Sequence, residues 1–179
     1  MKPTQILIAG FGGQGILFAG KFLAYKGLME DLQVSWLPSY GPEMRGGTAN
    51  CNVILSETPV GSPIITAPDV LIAMNLPSLQ KYVDSVVPGG QIYYDSSLID
   101  GGVDRKDVDI FPIPATQMAK DHGIGTLANM ILVGSLLTHQ PELSFQGVEQ
   151  VIQKLVPPAK ATLIELNQKA LQLGKEYAV

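Results

Sequence analysis

Short apolar runs of strand length recur along the first two thirds of the chain. The clearest are residues 6–9, 69–74 and 91–95, and residues 34–37 and 109–112 form shorter candidates. Runs with little alternation between apolar and polar positions are typical of strands buried on both faces of a parallel sheet. The pattern therefore predicts a mainly parallel sheet.

Longer segments with helical character lie between these runs and after them. The predicted helices are residues 16–25, 76–87, 114–122, 126–138, 144–156 and 158–174. The helix at 16–25 and the segment 127–133 are apolar nearly all round, so each should be covered on more than one side. This alternation predicts an α/β fold: a single Rossmann-like, three-layer domain over residues 1–179, with a helical C-terminal region.

One stretch departs from the alternation of strands and helices. Apolar Ala49, Cys51, Val53 and Leu55 are interleaved with polar Thr48, Asn50, Asn52 and Ser56. Period two is typical of a half-exposed strand. Residues 58–63 contain two prolines and a glycine, which indicates a turn. We interpret residues 48–66 as an antiparallel β excursion inside an otherwise alternating chain.

Charge and composition argue against several classes of protein, namely nucleic-acid binders, membrane proteins and secreted proteins. The chain carries 12 Lys and Arg against 16 Asp and Glu, a net charge of −4, whereas nucleic-acid binders usually carry a basic surplus. Charged residues make up 16% and the mean hydropathy is +0.21. No apolar segment approaches the ~18 residues that span a membrane, and no secretory signal is evident. We expect a cytoplasmic protein whose weakly charged surface is covered by partner subunits.

Few side chains offer chemistry of their own. Cys51 is the single cysteine, so neither an internal disulfide nor a cluster held by four thiolates of this chain can form, and a core position is expected for it. His122 and His139 lie at predicted helix ends, where the helix dipole favours a cation. Asn129 stands in an apolar helix and is expected to bond internally rather than to a partner. Residues 95–97 (Asp-Ser-Ser) end a strand, but no histidine is placed to complete a triad.

A glycine-rich segment joins the first strand to the first helix. Residues 10–15 (Gly-Phe-Gly-Gly-Gln-Gly), the glycine loop, fit the G-x-G-x-x-G pattern between a strand and a helix. Dinucleotide-binding proteins also place an acidic residue at the end of the second strand, and Glu30 and Asp31 come too early for that role. Three interpretations stay open: an anion or cofactor contact, tight packing or a subunit contact, and NAD(P) binding.

A second loop, rich in glycine and proline, follows the strand at 34–37. Glu43 and Arg45 are the only charged residues between positions 32 and 56. One interpretation is a guanidinium placed for phosphate or carboxylate, with Tyr40 stacked beside it. The other is an ordinary surface loop with a local ion pair, in which Gly46 and Gly47 turn the chain into the next strand.

Two motifs carry a resemblance to a known family. They are Gly10-Phe-Gly-Gly-Gln-Gly-Ile16, followed by Ala19-Gly20-Lys21, and Ser39-Tyr-Gly-Pro-Glu-Met-Arg-Gly-Gly-Thr-Ala-Asn-Cys51. As a pair they resemble the gamma subunit of 2-oxoacid:ferredoxin oxidoreductases, above all the variants acting on 2-oxoglutarate or branched-chain 2-oxoacids. Residues 69–75, 88–90, 95–97, 114–116 and 128–130 support the resemblance, which covers nearly the whole chain.

The resemblance implies a role within a larger enzyme. Such complexes decarboxylate a 2-oxoacid oxidatively, transfer the acyl group to coenzyme A and pass electrons to ferredoxin. Thiamine diphosphate, Mg²⁺ and [4Fe–4S] clusters would belong to the alpha, beta and ferredoxin-like delta subunits, and this chain would hold no cofactor tightly. Partners would be those subunits and, indirectly, ferredoxin. Neither nucleic acid nor a membrane is expected as a binding partner. When the chain is isolated from the complex, a contact between two of its copies is a further candidate.

The resemblance also assigns candidate binding residues. The gamma part would help to form the coenzyme A side of the active site, without catalytic or metal-ligating residues of its own. The assigned residues are Gly12, Gly13, Gln14 and Gly15 in the first loop, and Tyr40, Glu43, Arg45, Gly46 and Gly47 in the second. Arg45 is expected to make the strongest contact. The alternatives are a free-standing NAD(P)-binding oxidoreductase and an accessory subunit of an indolepyruvate oxidoreductase.

Overall fold

The predicted alternation of strands and helices is present in the protein. A computed structural model describes residues 2–39 and 49–178. The strands of these residues are β1 (Thr4–Gly10), β2 (Gln33–Ser39), β3 (Ala49–Ser56), β4 (Val70–Ala73), β5 (Gln91–Asp95) and β6 (Asp109–Ile113). The helices are α1 (Ile16–Met29), α2 (Leu76–Tyr82), α3 (Ala115–Asp121), α4 (Ala128–His139), α5 (Val148–Leu155) and α6 (Thr162–Tyr177).

All the described strands join one sheet, in the order β2-β3-β1-β4-β5-β6. Strands β1, β4, β5 and β6 are parallel to one another, whereas β3 is antiparallel to both of its neighbours, β1 and β2. The predicted antiparallel excursion is therefore confirmed. The strand ends at Ser56, and the following segment contains Pro59 and Pro63, which lack the N–H that a strand ladder needs.

The two faces of the sheet are covered unequally. Residues such as Ile6 and Ile8 of β1 pack into a large core with α1, α3, α4, α5 and α6. Leu7 points to the opposite face and joins a smaller core that includes Leu79 of α2. Helix α2 is shorter than predicted, because one 3₁₀ turn (Val83–Ser85) replaces its C-terminal part. The three-layer arrangement and the helical C-terminal region agree with the expectation.

Helix α4 lies in the middle of the larger layer. All its residues from Ala128 to Leu137 are buried, because the sheet covers one side and α6 the other. The contact between α4 and α6 is close: a Cβ atom added to Gly134 would collide with the backbone of Leu171, and one added to Gly174 would collide with the carbonyl of Ile131. The expectation that this apolar segment is covered on several sides is confirmed.

Helix α1 is covered on the side that faces β1, β2 and β3 and also contacts α5. Its C-terminal turn is open, with Leu28 exposed by 54% and Met29 by 41%. Lys26 is only 1% exposed and forms an ion pair with Glu30, which also accepts a hydrogen bond from Ser144 Oγ at 2.8 Å. Coverage of this helix by its own chain is thus incomplete.

Within residues 2–39 and 49–178, no helix has the length and apolar character that crossing a membrane requires.

Candidate functional site

The glycine loop lies at the edge of the sheet where the parallel strands end. Strand β1 runs directly into it, and the ends of β4 and β5 lie on the same edge. In α/β proteins, ligands bind beyond the carboxyl ends of parallel strands. A cleft of about 250 Å³ opens here, lined by Gly13, Gln14, Met74, Leu98 and Thr116 among others.

The backbone of the glycine loop leaves several amides available. Gly13 and Gly15 have φ angles of 90° and 75°, left-handed conformations that glycine adopts without strain. The N–H groups of Gly12, Gly13 and Gly15 donate to no acceptor among the described residues. They precede the N-terminus of α1, whose dipole is positive at this end. The loop can therefore accept an anionic group on its outer side.

The carboxamide of Gln14 is turned inward. Its Oε1 accepts hydrogen bonds from Phe11 N at 2.7 Å and from Asn75 Nδ2 at 3.4 Å. Its Nε2 donates to the carbonyl oxygen of Met74 at 3.1 Å. Gln14 thus ties the loop to the end of β4, an internal role that the sequence did not indicate.

Asn129 reaches the other end of the glycine loop from α4. Its Nδ2 donates to the carbonyl oxygen of Gly15 at 3.0 Å. The side chain is 3% exposed and lies so close that a Cβ atom on Gly15 would collide with it. The internal hydrogen bond expected for Asn129 is confirmed.

The second candidate loop lies outside the described residues. This applies to all its candidate residues, Tyr40, Glu43, Arg45, Gly46 and Gly47. The described chain before and after them ends at the edge that carries the glycine loop: Ala49 pairs with Gly10, and Ser39 pairs with Asn50.

The strand order argues against the dinucleotide-binding interpretation. In that fold, the strand that supplies the acidic residue lies beside β1 and parallel to it. Here the antiparallel β3 separates β1 from β2, so the end of β2 lies about 10 Å away, at two strand spacings. The end of β2 carries Leu37, Pro38 and Ser39 and no acidic side chain.

Asp95 is fully buried at the end of β5 and serves the fold. Its carboxylate accepts hydrogen bonds from Ser97 N at 3.0 Å, from Thr116 N at 3.1 Å and from Thr116 Oγ1 at 2.5 Å. These bonds join the end of β5 to the first turn of α3. With its oxygens engaged in this way, Asp95 is a structural residue at the candidate site.

Sequence reasoning missed an apolar rim around the same edge. Phe11, Leu76 and Leu98 follow the ends of β1, β4 and β5, and they are 42%, 39% and 47% exposed. Apolar residues one to three positions after the end of a buried strand are the signal that could have revealed them. Exposed apolar side chains grouped beside a cleft are typical of ligand or protein contacts.

The remaining candidates are placed as the sequence indicated. His122 caps the C-terminus of α3, and His139 ends α4, where its ring lies 4.3 Å from that of Phe111. Cys51 is fully buried, and burial raises its pKa to about 12. In the parts of the chain that the structure describes, no group of three or more His, Cys, Asp and Glu side chains is arranged to hold a metal ion.

Comparison with known families matches residues 5–177 to pyruvate ferredoxin/flavodoxin oxidoreductase. The chain belongs to this family. The resemblance inferred from the two loop motifs is therefore confirmed.

Members of the oxidoreductase family resemble the chain over different shares of their own length. This chain is 41% identical to Ketoisovalerate oxidoreductase subunit VorA of Methanothermobacter thermautotrophicus. The match covers 98% of this chain but only 36% of VorA. The chain is 35% identical to 2-oxoglutarate synthase subunit KorC of Methanothermobacter marburgensis, over 96% of this chain and 95% of KorC. Indolepyruvate oxidoreductase subunit IorB of Archaeoglobus fulgidus is less similar, at 25% over 98% of this chain and 95% of IorB. The chain thus spans about a third of VorA and nearly all of KorC.

Solved structures of the oxidoreductase family share the fold. The gamma subunit of a keto/oxoacid ferredoxin oxidoreductase from Geobacter sulfurreducens gives a TM-score of 0.83 at 28% identity, over 98% of both chains. A 2-oxoglutarate:ferredoxin oxidoreductase from Magnetococcus marinus, solved with 2-oxoglutarate, coenzyme A and succinyl-CoA bound, gives 0.87 at 27% identity over 99% of this chain and 31% of that one. The predicted fold class is confirmed.

Proposed function

We propose that the chain is the gamma component of a complex that oxidatively decarboxylates a 2-oxoacid. The substrate is 2-oxoglutarate or a branched-chain 2-oxoacid, and the products are acyl-CoA, CO₂ and reduced ferredoxin. The observation that carries the proposal is the similarity to KorC along almost the whole of both chains. The lower similarity to IorB makes an indolepyruvate enzyme the weaker alternative.

The cofactors and partners follow from the same proposal. Thiamine diphosphate, Mg²⁺ and [4Fe–4S] clusters belong to alpha, beta and delta subunits, and coenzyme A is the co-substrate at their interface with this chain. The complex works in the cytoplasm, and residues 1–179 act as one gamma domain. The greater length of VorA supports this arrangement, because there a region matching this chain is part of a longer polypeptide.

The glycine loop and the second loop form the coenzyme A side of the active site. The amides of Gly12 and Gly13, which have no acceptor within the described part of the chain, suit the anionic groups of coenzyme A, and each such helix-terminal contact contributes about 0.3–1 kcal/mol. Arg45 adds the cation of the second loop, which also supplies Tyr40. Because the chain has a net charge of −4, the partner subunits supply further cations.

Reconstitution tests whether the chain needs companion subunits. The purified chain is mixed with separately purified alpha, beta and delta subunits, and ferredoxin reduction is followed with 2-oxoglutarate or 2-ketoisovalerate. We expect no turnover by the chain alone, and turnover that requires both coenzyme A and this chain in the mixture. Oxidation of a 2-oxoacid by the lone chain would contradict the proposal.

The two arginines of the chain provide a matched pair for the binding role. In the assembled complex, Arg45→Ala should raise the KM for coenzyme A roughly tenfold to a hundredfold, because a charged hydrogen bond contributes roughly 1.5–3 kcal/mol. Arg105 is the control: it donates to Asp107 at 2.6 Å and to the carbonyls of Val83 and Val86. Arg105→Ala should lower the melting temperature and leave that KM unchanged. An unchanged KM in a folded Arg45→Ala complex would remove Arg45 from the site.

A further inference from the structure

Carboxamide side chains from three separate elements meet around the glycine loop. Gln14 stands at the start of α1, Asn75 caps the N-terminus of α2, and Asn129 lies in the first turn of α4. They are far apart in sequence, since Asn75 follows Gln14 by 61 residues and Asn129 follows Gly15 by 114 residues. We call these three side chains the carboxamide brace.

Gln14 and Asn75 hold the beginning of the loop. Gln14 bonds Phe11 N and the carbonyl of Met74, and so closes the loop against the end of β4. Asn75 is 3% exposed; its Nδ2 donates to Gln14, and its Oδ1 accepts from Ser78 N at 2.8 Å. The same asparagine therefore fixes both α2 and the glycine loop.

Asn129 holds the end of the loop, with one of its two polar atoms left over. Nδ2 bonds the carbonyl of Gly15, whereas the buried Oδ1 has no hydrogen-bond partner among the described residues. A buried carbonyl without a partner is unfavourable, and an apolar side chain of similar shape would avoid that cost. The hydrogen bond from Nδ2 to Gly15 therefore explains an asparagine at this position, whereas a contribution to the stability of the fold does not.

Between these two anchored ends, the amides of Gly12 and Gly13 donate to no acceptor in residues 2–39 and 49–178. We propose, resting on the function proposed above, that the carboxamide brace positions these amides for the anionic part of coenzyme A. Gln14, Asn75 and Asn129 act as positioning residues, because their hydrogen bonds fix the two ends of the loop. Holding the loop in its binding shape before coenzyme A arrives removes the ordering cost from binding.

Asn129→Leu in the assembled complex is the main test. It removes the donor to Gly15 together with the unpaired oxygen, so the complex should fold while the KM for coenzyme A rises roughly threefold to thirtyfold, as expected for two misplaced amides. The KM for the 2-oxoacid and kcat at saturating coenzyme A should stay within about twofold. A merely structural asparagine would change the melting temperature and leave the KM for coenzyme A as it was.

Asn167→Leu is the matched control on α6. Asn167 is 2% exposed, and its Oδ1 likewise has no partner among the described residues. Asn167 lines the same cavity as Gly13 and Gly15, but its Nδ2 donates to Leu163 O at 2.7 Å, within its own helix, and so does not hold the glycine loop. This variant should leave the KM for coenzyme A unchanged. An equal rise in both variants would mean that general loosening of the helices is the cause, and would overturn the proposal.

Gln14→Met keeps the test decisive if Asn129→Leu does not fold. Gln14 is partly exposed, so its replacement is tolerated more easily, and the loss of its bonds should raise the same KM. Unchanged KM values in folded variants would refute the brace while leaving the function intact. A wild-type complex that turns over 2-oxoacid without coenzyme A would instead refute the proposed function itself.

Discussion

Helices α1 and α4 look alike in sequence and occupy different environments. Both helices are apolar nearly all round. Neither sequence pattern shows whether the apolar surface is buried by the same chain or by a partner chain. In α4, an unbroken run of buried residues lies between the sheet and α6. In α1, Leu28 and Met29 remain exposed at one end, and the glycine loop precedes the other. An apolar helix therefore predicts coverage, but not whether the cover comes from its own chain.

A leucine-to-lysine substitution should reveal the difference in burial between α4 and α1 with the largest effect. Leu132 in α4 is fully buried and Leu28 in α1 is 54% exposed. Leu132→Lys buries a charge at a cost of several kcal/mol, a large part of the roughly 5–15 kcal/mol that holds a domain folded. Leu28→Lys should change the free energy of unfolding by less than about 0.5 kcal/mol. Urea unfolding followed by circular dichroism measures both, and similar losses would show that α1 is as enclosed as α4.

A smaller effect is expected where α4 meets α6. Gly174→Ala places a methyl group against the carbonyl of Ile131, and overpacking should outweigh the roughly 1 kcal/mol that alanine adds to a helix. The net loss in free energy of unfolding should be about 2 kcal/mol. Gly61→Ala is the control, because a Cβ there meets no atom within 4 Å. A stabilised Gly174→Ala variant would mean that the helices can separate at little cost.

The buried charge of α1 gives the mildest of the three effects, and it depends on pH. The hydrogen bond from Lys26 holds the pKa of Glu30 below its usual value, with a further contribution from Ser144. A carboxyl group with a lowered folded pKa stabilises the protein above its unfolded pKa of about 4.5, and this stabilisation disappears as the pH falls through the folded value. Glu30→Gln should therefore cost about 1 kcal/mol at pH 7 and much less at pH 3.

The exposed Glu165 of α6 supplies the comparison for that measurement. Glu165→Gln makes the same change of carboxylate to carboxamide on an exposed residue, and it should change the free energy of unfolding at pH 7 by less than about 0.5 kcal/mol. If Glu30→Gln shows the same slope between pH 3 and pH 7 as the wild type, the ion pair does not stabilise α1.

Much of the fold was predictable because local patterns report burial. The apolar runs at 6–9 and 91–95 predicted buried strands, and the period-two alternation after Ala49 predicted a strand of a different kind, which is the antiparallel β3. The order of the strands was not predictable, since a periodic pattern says that a strand is paired but not with which neighbour. The placement of β3 between β1 and β2 is a property of long-range pairing.

The candidate site was predictable in part for the same reason. The glycine pattern located the loop between β1 and α1, where it is found. The inward turn of Gln14 and the contact of Asn129 with Gly15 depend on residues that are distant in sequence, and a single sequence does not show such pairs. The apolar rim of Phe11, Leu76 and Leu98 likewise emerges only when three strand ends lie side by side.

The pairing of β2 with β3 has a consequence for how such chains can diversify. The register of these strands is set by seven aligned residue pairs, from Gln33 with Ser56 to Ser39 with Asn50. Because the strands fix each other, the residues that join Ser39 to Ala49 can change in composition or number without shifting the scaffold. Under the proposed function, the paired strands are a constant frame for a variable loop, and changes confined to that loop would alter which acyl acceptor the complex uses.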